Sequence, residues 1–79
     1  MDRANAIRLL KALVAVGADS DTPIANAWVK NIALRDVSLR GTEFSSALAY
    51  AEEQRWLADS PRTGWLLTHA GEIAARLYN

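Results

Sequence analysis

His69 is the single imidazole of the chain, and cysteine is absent. Nucleophilic or acid–base chemistry would need that histidine beside a hydroxyl and a carboxylate. None of Ser20, Ser38, Ser45, Ser46 and Ser60 stands in a nucleophile-elbow or base-orienting motif. Without thiolates, and with one histidine among scattered carboxylates, no metal-ligand spacing is present. Gly17, Gly41, Gly64 and Gly71 are isolated, each suited to a cap or a turn, and none belongs to a glycine-rich phosphate loop. The expectation is therefore a non-enzyme, with no catalytic residues, no metal and no cofactor. Trp28, Trp56 and Trp65 are the residues that could stack on a base or cage a ligand. Their periodic positions instead predict core packing, where a large aromatic stabilises a small domain efficiently.

The elements that must position any site come from a chain of 79 residues, 51% hydrophobic, in which nine Lys and Arg balance nine Asp and Glu. This fits one small domain spanning residues 1–79, which buries only roughly 60% of its unfolded surface and has a marginal core. No window holds the roughly 18 to 20 apolar residues of a membrane span. Asp2, Arg3 and Arg8 interrupt the first stretch, so it does not read as a signal peptide, and a cytoplasmic protein is expected. Zero net charge gives no global pull toward nucleic acid or lipid, so such binding would depend on a local patch.

From Asp2 to Val16 the apolar residues Ala6, Ile7, Leu10, Leu13 and Val14 recur at threes and fours, predicting an amphipathic helix closed by Gly17. Thr22 and Pro23 form a helix-start signal for a second helix running to about Arg35, with Ala25, Trp28, Val29 and Ile32 inward. Val37 and Leu39 alternate with Ser38 and Arg40, which fits either a short extended piece or a turn. A third helix follows from Glu43 to Arg55, capped by Thr42, with Phe44, Ala47, Leu48 and Ala51 inward. Trp56–Leu57 and Trp65–Leu67 flank a Ser-Pro-Arg-Thr-Gly turn, the pattern of a hairpin. Thr68 caps a last helix whose stripe is Ile73, Ala74, Leu77 and Tyr78.

The expected fold is mainly α with a small β-hairpin: three helices, a wing and a C-terminal helix. Residues Phe44 to Gly71, FSSALAYAEEQRWLADSPRTGWLLTHAG, resemble the second half of a winged helix-turn-helix domain, as in bacterial regulators of the MarR and PadR kinds. The hydrophobic pair Trp56–Leu57 and the Leu67-Thr68-x-x-Gly71 pattern carry the resemblance. Two features depart from it. Arg55 stands where many such domains have glycine, and the basic residues Lys30, Arg35, Arg40, Arg55 and Arg62 are matched by Asp36, Glu43, Glu52, Glu53 and Asp59.

The resemblance implies duplex DNA as partner, occupancy as mechanism and a role in transcription regulation. The third helix would enter the major groove with Ser45, Ser46, Ala49 and Tyr50 outward, while Arg62 and Thr63 at the wing tip would follow a phosphate strand or minor groove. Lys30 and Arg40, with Arg35, would complete a phosphate-binding rim. A homodimer through the C-terminal helix would present two recognition helices. The alternative is a winged-helix module that binds a protein partner through the same neutral, alanine-rich surface.

Overall fold

The computed structural model describes residues 2–60 and 64–77. Six elements follow one another: α1 (Asp2–Ala15), α2 (Asn26–Asp36), α3 (Thr42–Glu53), β1 (Leu57–Ser60), β2 (Gly64–Leu67) and α4 (His69–Leu77). The architecture is thus mainly α with a small antiparallel hairpin, in the expected order.

α1 is the central helix, packed against α2, α3 and α4. Ala6, Leu9, Leu10 and Leu13 are fully buried on it, whereas Val14 is exposed and Ile7 half-buried. The inward face is therefore turned toward Leu9, because three helices crowd one side of α1 and leave the Ile7–Val14 side uncovered. Arg8 reaches across from α1 and donates from Nη2 to the carbonyl of Val37 at 2.8 Å, tying α1 to the end of α2.

The second helix begins later than its Thr22–Pro23 signal predicts. Ile24 instead forms a bridge to Trp65, donating its N–H to the Trp65 carbonyl at 2.6 Å and accepting from the Trp65 N–H at 2.8 Å. Those bonds hold Ile24 extended, and Ala25 remains at φ −58°, ψ 142°, so α2 starts at Asn26. The Asp19 carboxylate accepts from the backbone N–H groups of Asp21 and Thr22, organising the preceding loop. Two inward assignments on this segment also change: Ala25 is exposed, and Trp28 is 52% exposed. Val29, Ile32 and Ala33 form the buried face.

Three helices end at a left-handed residue. After α1, Gly17 adopts φ +96°; after α2, Ser38 adopts +56°; after α3, Arg55 adopts +62°. After α1 and α3 the next N–H returns to a carbonyl five residues back, Ala18 to Leu13 and Trp56 to Ala51, and after α2 the Leu39 N–H returns six residues back, to Ala33. The ends of α1 and α3 are Schellman terminations, and all three satisfy a helix-end carbonyl and fold an apolar residue back under the helix. Between the extended and turn readings of Val37–Leu39, the turn is the one formed, and it delivers Leu39 into the core. α3 starts at Thr42 itself, because Gly41 occupies the cap position at φ +53°, ψ −121°, a conformation open to glycine.

The hairpin pairs Leu57 with Leu67, Ala58 with Leu66, Asp59 with Trp65 and Ser60 with Gly64. Leu57 and Leu67 face each other in the core. Thr68 then caps α4 as expected, its Oγ1 accepting from the Gly71 N–H at 3.0 Å. A Cβ on Gly71 would lie 2.2 Å from the Trp56 carbonyl oxygen, so only glycine lets α4 approach this closely.

Two substitutions with opposite signs follow. Arg55→Gly removes the penalty that a Cβ carries in the left-handed region and should raise stability by about 0.5 to 1 kcal/mol. Gly71→Ala, which would ordinarily favour a helix, should cost about 2 to 3 kcal/mol through the clash with Trp56. Urea denaturation midpoints of the two variants against wild type check both signs.

Candidate nucleic-acid interface

Residues 37–41 join α2 to α3, and the left-handed turn at Ser38 brings the Arg40 end of this connection beside the α2 flank that carries Lys30. Lys30 and Arg40 are both exposed and border a recess of about 490 Å³, floored by Leu34, Leu39 and Phe44. A second recess of about 560 Å³ runs on from it past Thr42, Ser45 and Leu48 to Asn26 and Trp65. Lys30, Gly41 and Phe44 line both. The structure thus gathers Lys30, Arg40 and Ser45 around the N-terminal end of α3.

On the outward face of α3, Thr42, Ser45 and Ala49 are exposed and Ser46 is half-buried. Tyr50 is half-buried too, and its ring packs against Trp56 with centroids 5.7 Å apart and planes tilted by 58°. That contact draws Tyr50 toward the edge of the core. Arg35 does not join the rim: it lines a different recess, with Trp28, on the other flank of α2. Arg62 and Thr63 lie outside the described residues. Asn26 is an additional polar neighbour, as are Thr42, read from the sequence only as a cap, and Trp65, read there as a core residue.

α3 carries Glu43 in its first turn, Glu52 and Glu53 at its end, and no basic residue. Charge therefore changes along the surface, with the cations Lys30 and Arg40 near the start of the helix and exposed carboxylates at its end. A polyanion would meet a local excess of one positive charge at the start of the helix, Lys30 and Arg40 against Glu43, and carboxylates at its end.

The hairpin is held to this surface at one corner. Trp65 donates its indole N–H to Asn26 Oδ1 at 3.0 Å, linking β2 to the first residue of α2. Gly64, at φ +108°, lies against the backbone of residues 24–26, and a Cβ there would be 2.3 Å from the Ile24 carbonyl oxygen. β2 is consequently fixed between β1 and residue 24.

On α4, Ala74 and Ala75 turn inward, whereas Ile73 and Leu77 are exposed and Tyr78 lies outside the described residues. Among the described residues no helix is long and apolar enough to cross a membrane, and no group of three or more His, Asp or Glu side chains is placed to hold a metal ion. Compared with protein-family models, curated proteins and solved structures, the chain matches none.

The hairpin anchor is testable by denaturation. Asn26→Ala should cost about 1 kcal/mol for the lost side-chain bond. Gly64→Ala should cost about 3 kcal/mol, combining a disfavoured φ with overlap against backbone atoms that have little freedom to retreat.

Proposed function

We propose that this chain is a small winged helix-turn-helix protein that binds duplex DNA and acts by occupancy as a transcriptional regulator or accessory factor. The observation that carries the reading is the combination of element order and surface. Helix α1, a bridging strand residue at Ile24, α2, α3 and an antiparallel hairpin follow in sequence, and α3 turns a face of small residues outward between the cations and the hairpin.

A major groove of roughly 12 Å admits a helix whose exposed side chains are short. Thr42, Ser45 and Ser46 would donate hydroxyl hydrogen bonds to phosphates or base edges, and Ala49 would allow close approach. Lys30 and Arg40 would neutralise phosphates beside the start of α3, while Arg62 and Thr63 at the wing tip would contact the adjoining backbone or minor groove. None of the outward α3 residues has the bidentate geometry of Arg, Asn or Gln. Base discrimination would thus be slight, with most affinity coming from the phosphate backbone and the shape of the duplex. The mechanism contains no chemical step.

A second reading, a module for a protein partner, is favoured by one observation: Glu52 and Glu53 are exposed on the face that DNA would meet. Fold alone does not choose between the two.

Fluorescence anisotropy of a labelled random duplex decides. At low salt, binding in the micromolar to sub-millimolar range is expected, weakening as salt rises. Lys30→Ala, Arg40→Ala and Arg62→Ala should each reduce the log–log salt slope by about 0.9. Glu52→Gln with Glu53→Gln should tighten binding several-fold by removing repulsion. Flat anisotropy at low salt for wild type and the glutamine variant would overturn the DNA reading and leave the protein-partner reading in its place.

A further inference from the structure

We propose that the flank of α2 carrying Trp28 is a two-fold interface between copies of this chain. This goes beyond DNA binding and does not rest on it.

Trp28 is the one tryptophan that the core does not take up. Trp56 packs on Tyr50 and Trp65 bonds to Asn26, but Trp28 is 52% exposed and makes no hydrogen bond among the described residues. Beside it stands Val16, 47% exposed at the end of α1. An exposed indole next to an exposed aliphatic side chain is the kind of apolar anchor that association buries.

The surroundings say what would cover it. Val16 and Trp28 separate two recesses. One, of about 420 Å³, is walled by Ala18, Pro23, Ile24 and Ala25. The other, of about 250 Å³, is walled by Asn31, Ile32, Arg35 and Asp36. A projecting ring and an apolar hollow therefore lie side by side on one patch. A two-fold axis needs that arrangement, since the same patch must supply both the knob and the hole.

Charge supplies the second argument. Arg35 and Asp36 are exposed at the border of the smaller recess, and neither makes an ion pair among the described residues. Across a dyad, Arg35 of one copy meets Asp36 of the other, and the reverse pair forms by symmetry. A patch bearing one charge of each sign beside an apolar centre is complementary to itself.

The geometry also leaves the proposed DNA surface free. Successive helix residues advance by roughly 100°, so Trp28 and Arg35 lie on the far side of α2 from Lys30. Two copies joined through Trp28 would keep both α3 faces uncovered.

Sedimentation equilibrium from about 1 µM to about 1 mM, with far-UV circular dichroism as the folding control, provides the test. Wild type should rise from monomer to dimer mass. Trp28→Ala, checked for folding by the circular dichroism control, should weaken association by roughly thirtyfold or more. Arg35→Glu and Asp36→Lys should each weaken self-association by roughly tenfold or more, and a 1:1 mixture of the two folded variants should restore it, because the mixed dimer again opposes unlike charges. Rescue by mixing is specific to a second copy on a two-fold axis. Concentration-independent monomer mass, or a mixture that associates no better than its components, would overturn the proposal. Retention of the dimer in Trp28→Ala with its loss in Ile73→Ser would overturn it as well, moving the interface to α4.

Discussion

The carbonyl of Trp56 is where α3, the hairpin and α4 are joined, and most of the remaining geometry follows from how it is approached. It accepts the Thr68 N–H at 3.0 Å, and the Thr68 hydroxyl lies 3.0 Å from it and 2.5 Å from the Arg55 carbonyl. The same hydroxyl oxygen accepts from Gly71 at the first turn of α4. One threonine therefore closes the hairpin, caps the next helix and docks that helix on the end of the previous one. The arrangement requires the chain to reverse at Arg55 and α4 to lack a side chain at Gly71. Both are backbone conditions, and together they set the angle at which the hairpin leaves α3.

A second corner limits the hairpin from the other side. Ile24 exchanges two backbone hydrogen bonds with Trp65, Gly64 fits beneath residues 24–26, and Asn26 holds the Trp65 indole. With β1 tied to α3 and β2 tied to the start of α2, the hairpin cannot swing independently of the helix pair. Side chains around the start of α3 are thereby held at fixed spacing from Trp65, which is what a surface needs if it is to bind without first ordering itself.

Local signals in the sequence were legible where the chain satisfies them locally. Thr68 reads as a cap because its partner, Gly71, lies three residues on; the Leu-Thr-x-x-Gly spacing contains the whole interaction. Arg55 reads as a departure from a glycine position, and it is indeed left-handed. Thr22–Pro23 misleads for the opposite reason. Its claim on the helix start competes with a partner 41 residues away, Trp65, that no neighbouring residue announces. Trp28 misleads similarly: helical spacing places it near the buried stripe, but which edge of that stripe a neighbour covers depends on the position of α1. For the candidate site, the residue types were visible, and their gathering was not. Lys30, Arg40 and Ser45 become neighbours only because Ser38 reverses the chain after α2.

The two flanks of α2 illustrate how a chain with no net charge can still carry distinct surfaces. On one flank, Lys30 faces the approach of Arg40 and the start of α3; on the other, Trp28 stands with Arg35 and Asp36. The first is locally cationic and weak by itself, since few phosphate contacts give little affinity at physiological salt. The second is apolar at its centre and neutral in sum. In the proposed readings these properties are linked by simple arithmetic. Joining two copies makes the second DNA contact intramolecular, so avidity can exceed the affinity of either copy by roughly 10² to 10⁴ without adding a cation. That gain is the effective concentration of the second site divided by the single-copy Kd, so for a weakly cationic surface it depends on how close the dimer holds the two α3 faces.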